Sequence, residues 1–231
     1  MKKKLVLGLT ALVVTSAVAI GGTLAFMTAH TSEKINSFTA VGSNVSGQIK
    51  ETNWDGLDFD GITQTIPADT VTLGKNKAIA MTPGMDIPKD PMLKNTSPIP
   101  VYMAMKVTYN TKTAFQPNSD RLTLATLRNA GGSEGINSGW VYYSTSSDGL
   151  SDYYIYASQN QTGITALTEV AKDNGTTQPL FDSVKINADA TNEQIVGMNF
   201  NITVKGAAVQ TSDLGSIDTG IQQLINALDA N

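Results

Sequence analysis

The nine residues Val101–Tyr109 narrow the choice of fold more than any other stretch. Val101, Met103, Met105, Val107 and Tyr109 recur at every second position, with Lys106 and Thr108 between them. Successive side chains of a strand point to opposite faces, so this spacing predicts a strand with one apolar face. Pro98 and Pro100 hold the approach extended. Together with Pro91 they keep that approach from pairing as an ordinary ladder, because proline has no N–H to donate. A strand of this kind needs an apolar partner layer, and it predicts the centre of an antiparallel β-sandwich.

The neighbouring stretches extend this reading. Ile87-Pro88-Lys89-Asp90-Pro91 excludes helix, and Met92–Asn95 is a short strand ending in a turn. A strand is expected over 44–51, interrupted at Gly47, followed by a turn-rich loop over 53–61. Short strands over 70–73 and 78–81 flank Gly74–Lys77, a hairpin-like connection. Leu122, Leu124 and Leu127, with Gly131-Gly132 as a stop, predict a helix over 119–130. Trp140–Thr145 and residues 153–157 form an aromatic hairpin with a long polar turn. Ile164, Leu167 and Val170 suggest a short helix over 163–171. A strand is expected over 180–186. A last strand pair spans 195–209, broken at Gly206. Ile217, Ile221, Leu224, Ile225 and Leu228 then predict a terminal amphipathic helix.

The N-terminus has a separate character. Lys2, Lys3 and Lys4 precede an uncharged, mostly apolar run, and Thr23-Leu24-Ala25 places small residues at the −3 and −1 positions of a peptidase site. Residues 1–25 are therefore expected to be a signal peptide cut between Ala25 and Phe26, with Met27-Thr28-Ala29 a weaker alternative. The apolar run is short for a membrane span, which needs roughly 20 residues. Residues 26–42 become a free N-terminal segment, and 43–231 form the sandwich domain.

Composition excludes several function classes. The chain has no cysteine, so no disulfide or thiolate chemistry is available. The leader removes three lysines, leaving 13 of 16 basic residues against 20 acidic ones, a formal charge of 13 minus 20, or −7. That balance argues against nucleic acid as a partner, and the membrane enters only through the uncleaved signal. His30 is the only histidine. A zinc site of the His-Glu-x-x-His kind needs two, and a Ser-His-Asp triad would have to use a histidine in the N-terminal segment. Asp55-Gly56-Leu57-Asp58-Phe59-Asp60-Gly61 hints at a calcium loop. In an EF-hand frame, however, Gly56 takes the first ligand position and Pro67 the place of the bidentate glutamate. Tyr142, Tyr143, Tyr153, Tyr154 and Tyr156 offer either a sugar-binding surface or cross-strand packing pairs, and packing is the more economical. No catalytic, cofactor-binding or metal-binding residue is expected, and no enzymatic activity.

Several blocks carry a resemblance. They are Gly21-Gly22-Thr23-Leu24-Ala25-Phe26, Asn36-Ser37-Phe38-Thr39-Ala40-Val41-Gly42, and Pro83-Gly84-Met85-Asp86-Ile87-Pro88-Lys89-Asp90-Pro91. Asn95-Thr96, Pro100-Val101-Tyr102, Leu180-Phe181-Asp182-Ser183-Val184 and Ala207-Ala208-Val209-Gln210 follow. In this order they resemble the TasA/camelysin (CalY) family of exported proteins with SipW-type signal peptides. Residues 111–137 lie outside the resemblance. It implies a mainly β, jelly-roll-like antiparallel sandwich with a few short helices and a C-terminal helix. It also implies a secreted structural subunit of cell-surface or biofilm-matrix fibres, cut by a SipW-type signal peptidase. Such a subunit assembles head to tail as a homopolymer, with a co-assembling matrix protein as a possible partner. The freed segment, anchored by Phe26, Ile35, Phe38 and Val41, would pair with a sheet edge of the next subunit. The alternatives are a camelysin-type secreted metallopeptidase and a monomeric surface module that binds a ligand through the tyrosine hairpin.

Overall fold

The computed structural model describes residues 45–66, 72–117, 122–196, 201–212 and 214–230, and the backbone of 23–26 and 37–41. The elements in chain order are β1 (Thr23–Phe26), β2 (Ser37–Val41), β3 (Gly47–Lys50), α1 (Thr52–Asp55), α2 (Gly74–Lys77) with a 3-10 turn at Ala78–Ala80, β4 (Asp86–Pro88), β5 (Met92–Asn95) and β6 (Val101–Tyr109). A second 3-10 turn at Thr113–Phe115 leads to β7 (Ala125–Arg128), β8 (Trp140–Thr145), β9 (Ser151–Asn160), β10 (Gly163–Leu167), β11 (Glu169–Val170) and β12 (Ser183–Ile186). The chain ends in α3 (Asn192–Val196), β13 (Asn201–Gln210) and α4 (Ile217–Asp229).

Thirteen strands among the described residues make the protein mainly β, in three open sheets. The largest runs β1-β13-β6-β9-β10, with β2 also against β13, β11 against β6 and β8 against β9. The others are β4-β12-β7 and the pair β3-β5. All described pairings are antiparallel except that of β2 with β13.

Strand β6 is central, as its alternation requires. Each of its residues is paired to β13, from Val101 opposite Gln210 to Tyr109 opposite Ile202. Val101, Met103, Met105, Val107 and Tyr109 are all buried. They pack in one apolar cluster with Ile49 and Leu93 of the small sheet and with Ile87, Val184 and Ile186 of the three-stranded sheet. The opposite face of the large sheet is not left to solvent. Helix α4 lies on it, burying Ile221, Leu224, Ala227 and Leu228 against Ala104, Ile155, Ala207 and Val209. Its first turn is capped by Ser216, whose hydroxyl accepts the Thr219 N–H at 3.1 Å. Covering both faces explains why β13 is apolar almost without alternation from Gly206 to Val209.

Four expectations are corrected. The stretch over 119–130 is not a helix: residues 125–128 are β7, which pairs with β12 from Ala125 opposite Ile186 to Arg128 opposite Ser183. Gly131 and Gly132 belong to the turn after it, bridged by Arg128 and Glu134. Residues 163–171 are two strands, β10 and β11. Gly74–Lys77 and Ala78–Ala80 are helical turns rather than a hairpin with a second strand. Strand β13 passes through Gly206 without a break and 192–196 is helix α3, so the described part of 195–209 holds one strand rather than a pair, with 197–200 outside the described residues.

Candidate functional site

The feature with the clearest bearing on function is the outer edge of β13. β6 takes one side of this strand along its whole length. The other side is occupied by the N-terminal segment of the same chain. β1 runs antiparallel, with Thr23 opposite Val204, Ala25 opposite Ile202 and Phe26 opposite Asn201. β2 runs parallel, with Ser37 opposite Lys205, Phe38 opposite Gly206 and Val41 opposite Val209. The two pieces lie end to end and cover β13 from Asn201 to Val209. Their hold is limited. Each is short, and a parallel ladder is slightly less stable per residue than an antiparallel one.

Of the residues expected to act here, Ala25 and Phe26 fall in β1, and Phe38 and Val41 in β2. Ile35 lies outside the described residues, as do His30 and the signal segment up to Gly22. Two features escaped the sequence reading. The expected cleavage site between Ala25 and Phe26 is itself part of a strand, and the strand it caps is β13. Gly206, read as a break, lies with Ala207 and Ala208 in the middle of that ladder.

Polar groups beside this edge fix the end of α4. Lys106 and Lys205 stand opposite each other on β6 and β13. Lys106 donates to Asp229 Oδ1 at 2.6 Å, Tyr153 donates to the same oxygen at 2.7 Å, and Lys205 donates to the Ala230 carbonyl. Two ammonium groups at a helix C-terminus complement its dipole. Burial pulls the Lys106 ammonium down, but its bonds to Asp229 and Tyr153 outweigh that and leave its pKa raised. Lys205 is lowered, by burial and by Lys106.

The other candidates resolve into local structure. Asp60 accepts hydrogen bonds from the Ile62 and Thr63 N–H groups and the Thr63 hydroxyl, which hold its pKa at about 2. Asp58 bonds Lys50, and Asp55 accepts from the Leu57 N–H. These carboxylates serve their own loop, and among the described residues no cluster of three or more His, Asp or Glu is placed to hold a metal. The tyrosines do not make one platform. Tyr153 packs beneath α4 and Tyr154 in the main core, while Tyr142 meets Tyr154 edge-on at 5.9 Å and Tyr156 packs on Trp140 at 5.1 Å. Comparison of the chain with protein-family models, with curated proteins and with solved structures finds no match.

Proposed function

We propose that this chain is an exported structural subunit of extracellular fibres, whose N-terminal segment leaves its own β13 and pairs with β13 of the next molecule. One observation carries the reading: apart from β1 and β2, nothing among the described residues covers that edge. Withdrawing them leaves a row of unpaired N–H and C=O groups, which an added strand satisfies. A contact in which one copy gives and the next receives does not close on itself, so it propagates as a filament. The resemblance to the TasA/camelysin family supports the same reading and adds jelly-roll strand order and a SipW-type peptidase.

Processing fits this scheme. A cut between Ala25 and Phe26 removes three of the four residues of β1 and frees the β13 edge at Ile202, Thr203 and Val204. An incoming strand gains its first ladder bonds there and then displaces β2. The self-paired form has the advantage of proximity, worth an effective concentration on the order of millimolar for a short flexible link. It is opposed by ladder length. β2 covers five positions in the less favourable parallel sense, whereas an intermolecular strand has the whole of β13 available.

The test is deletion of residues 26–42 from the mature protein. A folded domain that forms no fibres is expected, together with capping of wild-type growth by the 26–42 peptide. Fibres of normal width from the deletion variant would overturn the mechanism.

A further inference from the structure

Among the described residues, a charged pair outside the β13 ladder is fully buried. Lys89 and Glu51 both have fully buried side chains, and Lys89 Nζ lies 2.6 Å from Glu51 Oε1. Glu51 sits between β3 and α1, and Lys89 directly follows β4. The backbone of Lys89 is held by its N–H bond to the Asp182 carbonyl at 3.0 Å. The Trp54 ring centroid is 5.1 Å from Nζ. Gly74 closes the site from α2: a Cβ there would lie 1.8 Å from the Pro88 carbonyl oxygen and 2.8 Å from the Trp54 ring, so backbone presses directly on both. Asp55 and Asp90 are also buried, and Asp90 Oδ1 accepts the Asn53 N–H at 2.7 Å.

We propose that Lys89 and Glu51 condense spontaneously to an intramolecular amide, a covalent cross-link between residues 38 positions apart in the chain. The amine and the carboxyl carbon are already held as neighbours, which supplies the orientation an intermolecular reaction lacks. Burial pushes the Lys89 pKa down despite the facing carboxylate. A neutral amine is the nucleophile and a neutral acid the electrophile this reaction needs. Asp90, the next residue, is buried as well, and burial raises its pKa to about 7.

The step balances without a co-reactant. The ion pair returns its proton, giving the amine of Lys89 and the carboxylic acid of Glu51. The nitrogen lone pair attacks Cδ and forms the Nζ–Cδ bond. The nitrogen gives up one proton and the departing hydroxyl gains one. The Cδ–O bond breaks and one water leaves. One ammonium and one carboxylate become a secondary amide and water, with no redox change. In bulk water hydrolysis opposes such a product. Here the reactants are two buried ions and the product is neutral, so the desolvation that disfavours the pair favours the amide. In a chain without cysteine this is a route to a covalent tie that needs no thiol.

The experiment is mass spectrometry of the purified, denatured protein with its N-terminus determined. The expected result is a chain one water lighter than its sequence, and, after proteolysis, a branched peptide joining the Glu51 and Lys89 fragments. Lys89→Met and Glu51→Ala should have full mass. Glu51→Gln should give the same branched product by losing ammonia instead. Full sequence mass for the wild-type protein, with the two fragments recovered only as linear peptides, overturns the proposal whatever the variants do.

Discussion

Lys89 and Asp90 stand side by side between two prolines, and burial moves both toward their neutral forms. For Asp90 this has a consequence for stability. An unfolded aspartate titrates near its ordinary value of 3.8, whereas the buried one titrates at about 7. Its contribution is fully present below the unfolded pKa. It is lost as pH rises toward the folded one, because the unfolded chain releases a proton that the folded chain keeps. Asp90→Asn cannot ionise, so relative to wild type it should gain stability between roughly pH 4 and pH 7, by on the order of a few kcal/mol. Urea midpoints across that window check this, and a constant gap between the two proteins would contradict it. Adjacent residues of β6 give a second test. Met105→Ala should cost about 2–5 kcal/mol, whereas Lys106→Ala, whose partner Asp229 is largely exposed, should stay within about 1 kcal/mol. The apolar face of β6 was legible because alternation reports burial directly. The burial of Lys89 was not, since a lysine beside an aspartate between two prolines reads as surface turn and its partner is distant in sequence.

Among the elements, those misread share a cause. Ile164, Leu167 and Val170 fit a helical period only if they face one core. In the fold Ile164 and Leu167 pack toward α4 while Val170 enters the main cluster, so the spacing mixes two destinations. Leu122, Leu124 and Leu127 are too few to fix a period, and β12 supplies the ladder that makes a strand of 125–128. Gly206 reads as a breaker in isolation, but in β13 it is flanked by paired strands on both sides. Gly74 was read as part of a turn, yet its role is close approach. Gly74→Ala forces a methyl into the Pro88 carbonyl and Trp54 and should cost about 1–3 kcal/mol or more. Gly61→Ala meets no neighbouring atoms and carries only the strain of its positive φ. Thermal unfolding of the pair separates the two effects, and equal losses would show that Gly74 is not packed as described.

For the molecule as a whole, the decisive question is whether the N-terminal segment must leave its own sheet before copies can join. The sequence made this segment visible through the lysines and apolar run before it, but it held no information on which strand would receive it, because a sheet edge is a property of the assembled fold. The observed register makes the question testable. Ser37 lies opposite Lys205 in the β2–β13 ladder, and the chain has no cysteine of its own. Paired residues on neighbouring strands fall within the Cα separation a disulfide bridges, about 4.4–6.8 Å. The double variant Ser37→Cys, Lys205→Cys, oxidised at low concentration as a monomer, should therefore have its segment stapled to its own β13. If the segment is the donor, this form should stay monomeric, and reductant should restore fibre growth. Each single variant should assemble like wild type, which controls for the lost Lys205 contact with the α4 terminus. The reduced double variant offers the converse measurement. Once in fibres it no longer holds Ser37 against its own Lys205, so oxidation should not return an internally bridged chain. If the stapled monomer forms fibres of normal width and rate by electron microscopy, β2 never leaves β13 and assembly uses another surface.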